Sequence, residues 1–188
     1  MTVTILLIGM TVSQIAWAKK KPPKNKVILE KKFEKIVDNS WSNLELDDPI
    51  QPGVYYIEMS DVLGKWGCWG ARVDPYKDGT AWQNEEELPK CDLRLKYRVK
   101  GDWVELIKIK QLGAINDDWF PHDSFDKKKT LGQTFVAKEA FDATGLHTPT
   151  WMTKDSQGTL TLYAKSAGTA VKAKGKLAAT WAKLKLSH

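Results

Sequence analysis

The chain has 188 residues, 42% of them hydrophobic and 28% charged, with two cysteines and three histidines. That length suits one domain able to bury a proper core, and two thiols with three scattered histidines match no zinc-ligand spacing, which argues against a zinc site. The net charge of +6 is uneven: residues 19–26 hold five lysines and residues 165–188 six, with no acid in either, so all 23 acidic residues lie in the body between them.

Residues 1–18 (MTVTILLIGMTVSQIAWA) carry no charge and end in Ala16-Trp17-Ala18, an A-x-A cleavage signature. The run is shorter and more polar than the roughly 20 apolar residues a membrane-spanning helix needs. It reads as a signal peptide, which places the protein outside the cytoplasm, periplasmic or secreted. Against cleavage stand the missing basic n-region and the lysines that follow at once. Left uncut, the segment becomes a membrane anchor.

Residues 19–26 (KKKPPKNK) read as a basic, disordered arm, because Pro22-Pro23 disfavours helix and the lysines repel one another. The rest, 27–188, reads as a single β-rich domain. Its first element is an expected amphipathic helix over residues 27–39, with Leu29, Phe33, Ile36 and Val37 on one stripe. A polar stretch to Gln51-Pro52-Gly53 ends it.

From there the pattern is β. Gly53–Met59 is an expected strand, Lys65–Val73 a second weakened by glycine, and residues 74–79 a turn. In Asp92–Leu112, Leu93, Leu95, Tyr97 and Val99 alternate with Arg94, Lys96 and Arg98, the pattern of a half-buried strand. A two-residue turn at Gly101-Asp102 sets Val99 opposite Val104, Tyr97 opposite Leu106 and Arg98 opposite Glu105. Past Leu106 the apolar phase slips to Ile107 and Ile109, which predicts a bulge. A long loop spans residues 113–133, a short helix is expected over Lys138–Thr144, and Thr159–Lys165 alternates as a strand. Residues 170–186 fit two forms: a hairpin around Gly175, which the preceding β pattern favours, or a basic amphipathic helix suited to a membrane surface. The fold class is therefore mainly β, an antiparallel β-sandwich or small β-barrel with an N-terminal amphipathic helix. In an exported protein the pair Cys68 and Cys91 is most simply one disulfide.

No catalytic motif or nucleotide loop is specific. The tryptophans are the most suggestive residue type, since flat aromatic faces stack on sugar rings while polar neighbours read hydroxyls. Trp66 and Trp69 fall on opposite faces of a strand; with Trp82 and Trp119 they are the candidate platform. Asp118, His122 and Asp123 beside Trp119 are the candidate polar contacts. The same loop carries carboxylates of the type that hold Ca²⁺, but their spacing is not that of an EF-hand, so no cofactor is assigned. His122-Asp123-Ser124 has the residue types of a hydrolytic triad without convergence in space. The resulting expectation is a non-enzymatic, exported binding module for a glycan or anionic envelope polymer. The alternatives are an accessory subunit docking on a membrane-associated partner and, last, a secreted hydrolase. Nucleic acid fits the charge but not the compartment.

Overall fold

The computed structural model describes residues 20–71, 75–107 and 129–165. The leader, Asp118, Trp119, His122, Asp123 and residues 170–186 lie outside them. Twelve strands form in chain order: β1 (Lys26–Phe33), β2 (Ser40–Ile50), β3 (Gly53–Leu63), β4 (Gly70–Ala71), β5 (Ala81–Gln83) and β6 (Glu86–Leu88), then β7 (Asp92–Leu93), β8 (Leu95–Val99), β9 (Asp102–Ile107), β10 (Leu131–Ala137), β11 (Phe141–Thr148) and β12 (Gln157–Ala164). Every pairing is antiparallel. Six strands make one sheet in the order β1-β12-β3-β10-β5-β6, four make a second in the order β2-β11-β8-β9, and β4 pairs with β7. Both large sheets are open, so the expected barrel alternative does not hold among the described residues.

The period-2 pattern explains the sheets. On β3, Tyr55, Ile57 and Met59 enter the core; on β8, Leu95, Tyr97 and Val99 do; on β12, Leu160 and Leu162. Tyr55, Tyr97, Phe135 and Phe141 meet ring to ring across the two sheets, with centroids 5.0–6.4 Å apart. Both sheets thus bury one shared cluster.

Five expectations need correction. Residues 26–33 are the edge strand β1, not the start of a helix; pairing with the strongly alternating β12 overrides the helical stripe, and a bulge between Val27 and Leu29 absorbs the phase. The polar stretch after it is strand β2, and the expected helix over 138–144 is replaced by β11. The β8–β9 turn is at Lys100-Gly101, whose φ values of 52° and 90° are the left-handed pair of a type I′ turn. It sets Arg98 opposite Trp103 and Tyr97 opposite Val104. The predicted bulge falls at Leu106, where Lys96 pairs with Glu105 but Leu95 with Ile107. Last, Cys68 and Cys91 are not joined to one another. Gly70 sits opposite Leu93, and each cysteine precedes its own strand's partner by two residues. On antiparallel strands these offsets run in opposite directions, separating the cysteines by about four residues, or about 13 Å. A disulfide needs Cα atoms within about 7 Å.

Candidate functional site

Among the nominated tryptophans, the three described ones are turned inward. Trp66 is 0% exposed, Trp69 6% and Trp82 5%. Trp66 tilts against Phe33, with ring centroids 5.7 Å apart, and the Trp69 indole N–H donates to Asn39 at 2.9 Å. Their ring faces are not available to a ligand.

The aromatic surface lies elsewhere, on the outer face of the four-stranded sheet. The register stacks its rows. Asn43, Gly145, Lys96 and Glu105 form one row; Glu45, Ala143, Arg98 and Trp103 form the next. Trp41 and His147 pair at one end, where His147 N–H donates to the Arg94 carbonyl. These residues alternate with Leu44, Leu95, Tyr97 and Leu146 of the core, so strand parity alone sends them outward.

Trp103 is 37% exposed and Trp41 half-buried. The Lys96 ammonium sits between them, 3.8 Å from the Trp103 ring centre and 4.5 Å from that of Trp41. Arg98 approaches Trp103 at 5.5 Å and Arg94 approaches Trp41 at 5.3 Å. The result is a ladder of alternating rings and cations, each contact contributing about 0.5–1 kcal/mol at an exposed site. Arg94 is paired with Glu105, and Arg98 donates to Asp142 at 2.7 Å with Glu45 further off at 4.0 Å. Lys96 has no carboxylate at ion-pair distance among the described residues. Burial lowers its ammonium below the ordinary lysine value, with Glu105 opposing.

Beneath the ladder β11 is small. A Cβ on Gly145 would stand 2.4 Å from Asn43 Oδ1, so the Asn43 amide lies directly over that glycine. Asn43 Oδ1 and His147 Nδ1 are both buried with no hydrogen-bond partner among the described residues. Buried polar atoms are almost always satisfied, so each exception calls for an explanation. His147 stands edge-on to Trp41, with centroids 5.0 Å apart. Burial, reinforced by Arg94 and Lys96, pushes its imidazole down to about 4, so it is neutral at ordinary pH.

Trp41, Lys96 and Trp103 were not singled out from the sequence. The available signal was the I′ turn: with Gly at its second position, Trp103 falls onto the wet face beside the Arg94-Lys96-Arg98 run. No three-residue metal-ligating cluster of histidine, cysteine or acid occurs among the described residues, and no described helix is long and apolar enough to cross a membrane. No protein-family model, curated protein or solved structure matches the chain.

Proposed function

We propose that this chain is a non-enzymatic binding module that holds a glycan on the outer face of its four-stranded sheet. The two sheets are then the layers of a β-sandwich, and the leader delivers the module outside the cytoplasm. The observation that carries the reading is the Trp41–Lys96–Trp103 ladder above two unpartnered polar atoms. The tryptophan edges and outer faces offer stacking area to sugar rings. Asn43 and His147 form a polar floor beneath the rings. Lys96, without an ion-pair partner among the described residues, meets an acidic substituent of the polymer. Stacked aromatic contacts contribute about 0.5–1.5 kcal/mol each beyond the area they bury.

Retention on immobilised polysaccharides, neutral and acidic, tests this. Trp103→Ala and Trp41→Ala should each weaken retention about tenfold, which corresponds to about 1.4 kcal/mol. Trp69→Phe, at a buried site, should leave it unchanged. Equal retention by the wild type and a Trp41→Ala/Trp103→Ala double variant would refute the assignment.

The accessory-subunit alternative has one observation of its own. Val37 and Met152 are 70% and 84% exposed beside a hollow of about 400 Å³ lined by Lys35, Ile36 and Lys154. An apolar knob of this kind suits a protein partner. Co-purification in mild detergent, lost in Met152→Asp, tests that reading.

A further inference from the structure

The other large sheet carries a second, chemically opposite surface. One row runs across all six strands on the face away from the core: Glu30, Thr161, Glu58, Gly132, Trp82, Glu87. Its neighbours along the strands, Met59, Leu160, Leu131 and Ala81, are core residues, which fixes the row as outward. Glu58, at its centre, is nevertheless only 4% exposed. A buried carboxylate is costly without a counter-ion and donors. Tyr56 Oη donates to Glu58 Oε2 at 3.0 Å, and Tyr163 Oη reaches Oε1 at 3.5 Å.

The counter-ion comes from the basic arm. Lys24 Nζ lies 2.6 Å from Glu58 Oε2 and 3.2 Å from Glu85 Oε1, while Lys20 stands 3.8 Å from Glu87. Pro22 between them is buried. Burial pulls the Lys24 ammonium down, but hydrogen bonding and attraction to Glu58 and Glu85 outweigh this and hold it above its ordinary value. Residues 20–25 form no strand, and their described backbone hydrogen bond is internal, Lys24 N–H to the Pro22 carbonyl. Side chains, not a β ladder, therefore fasten the arm. Within the row Trp82 is 5% exposed, with an indole N–H that has no partner among the described residues.

We propose that the outer face of the six-stranded sheet is a receptor site for a lysine-bearing peptide segment, and that residues 20–24 fill it in cis. The recognition elements are the recessed Glu58 carboxylate with its two tyrosyl donors and an acidic rim of Glu85 and Glu87. Only Asn25 separates Lys24 from the start of β1, so the arm competes at an effective concentration in the millimolar range or above. An outside segment gains access once the arm's own ammonium is withdrawn.

The test uses the full chain and a synthetic peptide with the sequence of residues 20–26. Lys24→Ala should bind the peptide by calorimetry, with amide shifts at Glu58 and Gly132, at least about tenfold more tightly than the wild type. A peptide carrying alanine in place of its central lysine should not bind, and Glu58→Gln added to Lys24→Ala should abolish binding. A folded Lys24→Ala protein that ignores the peptide at several millimolar would overturn the proposal and leave the pair a fixed structural bridge. Should Lys24→Ala fail to fold, the wild type decides. Excess peptide must then shift the Glu58 and Gly132 amides, and their constancy would equally overturn it.

Discussion

His147 makes stability depend on pH in a window that its surroundings define. The side chain is 7% exposed, and its imidazole is pushed down to about 4 by burial first, then by Arg94 and Lys96, with Glu105 and a backbone hydrogen bond at Asn39 opposing. In the unfolded chain it titrates near its ordinary value of 6.5. The unfolded state therefore takes up a proton as pH falls through 6.5, while the folded state resists until about 4. The contribution is fully present above pH 6.5 and is lost progressively down to pH 4. One pH unit of difference is about 1.36 kcal/mol, so the full loss is about 3 kcal/mol, and about 2 kcal/mol of it has gone by pH 5. In urea that loss should lower the unfolding midpoint by about 1 M, taking a slope near 2 kcal/mol/M. Carboxylates elsewhere also titrate at the acid end, so the informative quantity is the difference between the wild type and His147→Gln. The variant should begin less stable at pH 7.5, and its midpoint should fall by about 1 M less than that of the wild type between pH 7.5 and 5. Proton NMR of the imidazole gives a second readout. A His147 resonance titrating near 6.5, or parallel urea midpoints for the two proteins, would show that the imidazole is not held neutral beneath Trp41.

Four further outcomes follow from the core, the cysteines and a turn. Phe135→Ala removes a fully buried ring that meets Tyr55, Tyr97 and Phe141, and should cost about 3–5 kcal/mol in a denaturant titration. A reducing agent should leave the thermal midpoint unchanged, whereas a disulfide closing that loop would contribute about 3 kcal/mol. Under native conditions a thiol reagent should modify half-buried Cys91 well before Cys68, whose thiol is buried and shifted up by that burial; mass spectrometry reads the order. Lys100→Asn should raise the thermal midpoint slightly. Asparagine tolerates the left-handed φ of 52° better than lysine, and the lost Lys100–Glu139 bridge is solvent-exposed and therefore weak.

Where alternation was long and uninterrupted, the sequence reading and the structure agree. Tyr55 to Met59, Leu95 to Val99 and Thr159 to Tyr163 each announce their strand, because one buried face leaves a period of two, although the run expected from Leu93 breaks at Arg94 into β7 and β8 of different sheets. The N-terminal segment failed for a definite reason. Leu29, Phe33, Ile36 and Val37 satisfy a helical stripe, yet Ile28, Leu29 and Phe33 pack on the core from an edge strand whose bulge breaks the alternation. Short apolar runs of this kind are decided by a partner strand more than a hundred residues away, which local pattern does not encode. The hairpin register was off for a related reason. Placing glycine first in the hairpin turn left Trp103 on the wet face but slid it two residues along the partner strand, opposite Lys100 rather than Arg98 and so away from Lys96. Trp66 and Trp69 attracted attention through their spacing, but they lie near the short β4–β7 pair and are covered by the core.

Charge layout separates the two proposed surfaces and gives them different salt responses. The four-stranded face holds Arg94, Lys96 and Arg98 against Glu45, Glu105 and Asp142, so it is close to neutral. A glycan held there by stacking should bind with little dependence on ionic strength, because there is little net field to screen. The arm's lysines, in contrast, are not wholly available to an outside anion: Lys24 and Lys20 face Glu58, Glu85 and Glu87 of the same chain. Peptide binding to the Lys24→Ala protein brings several lysines onto that acidic rim and should fall steeply as salt rises. Measuring both affinities on one preparation at low and physiological salt sets the two mechanisms side by side. Glycan retention that collapses with salt would mean that Lys96 and its arginines, not Trp41 and Trp103, hold the ligand, and would move the site's chemistry from stacking to anion capture.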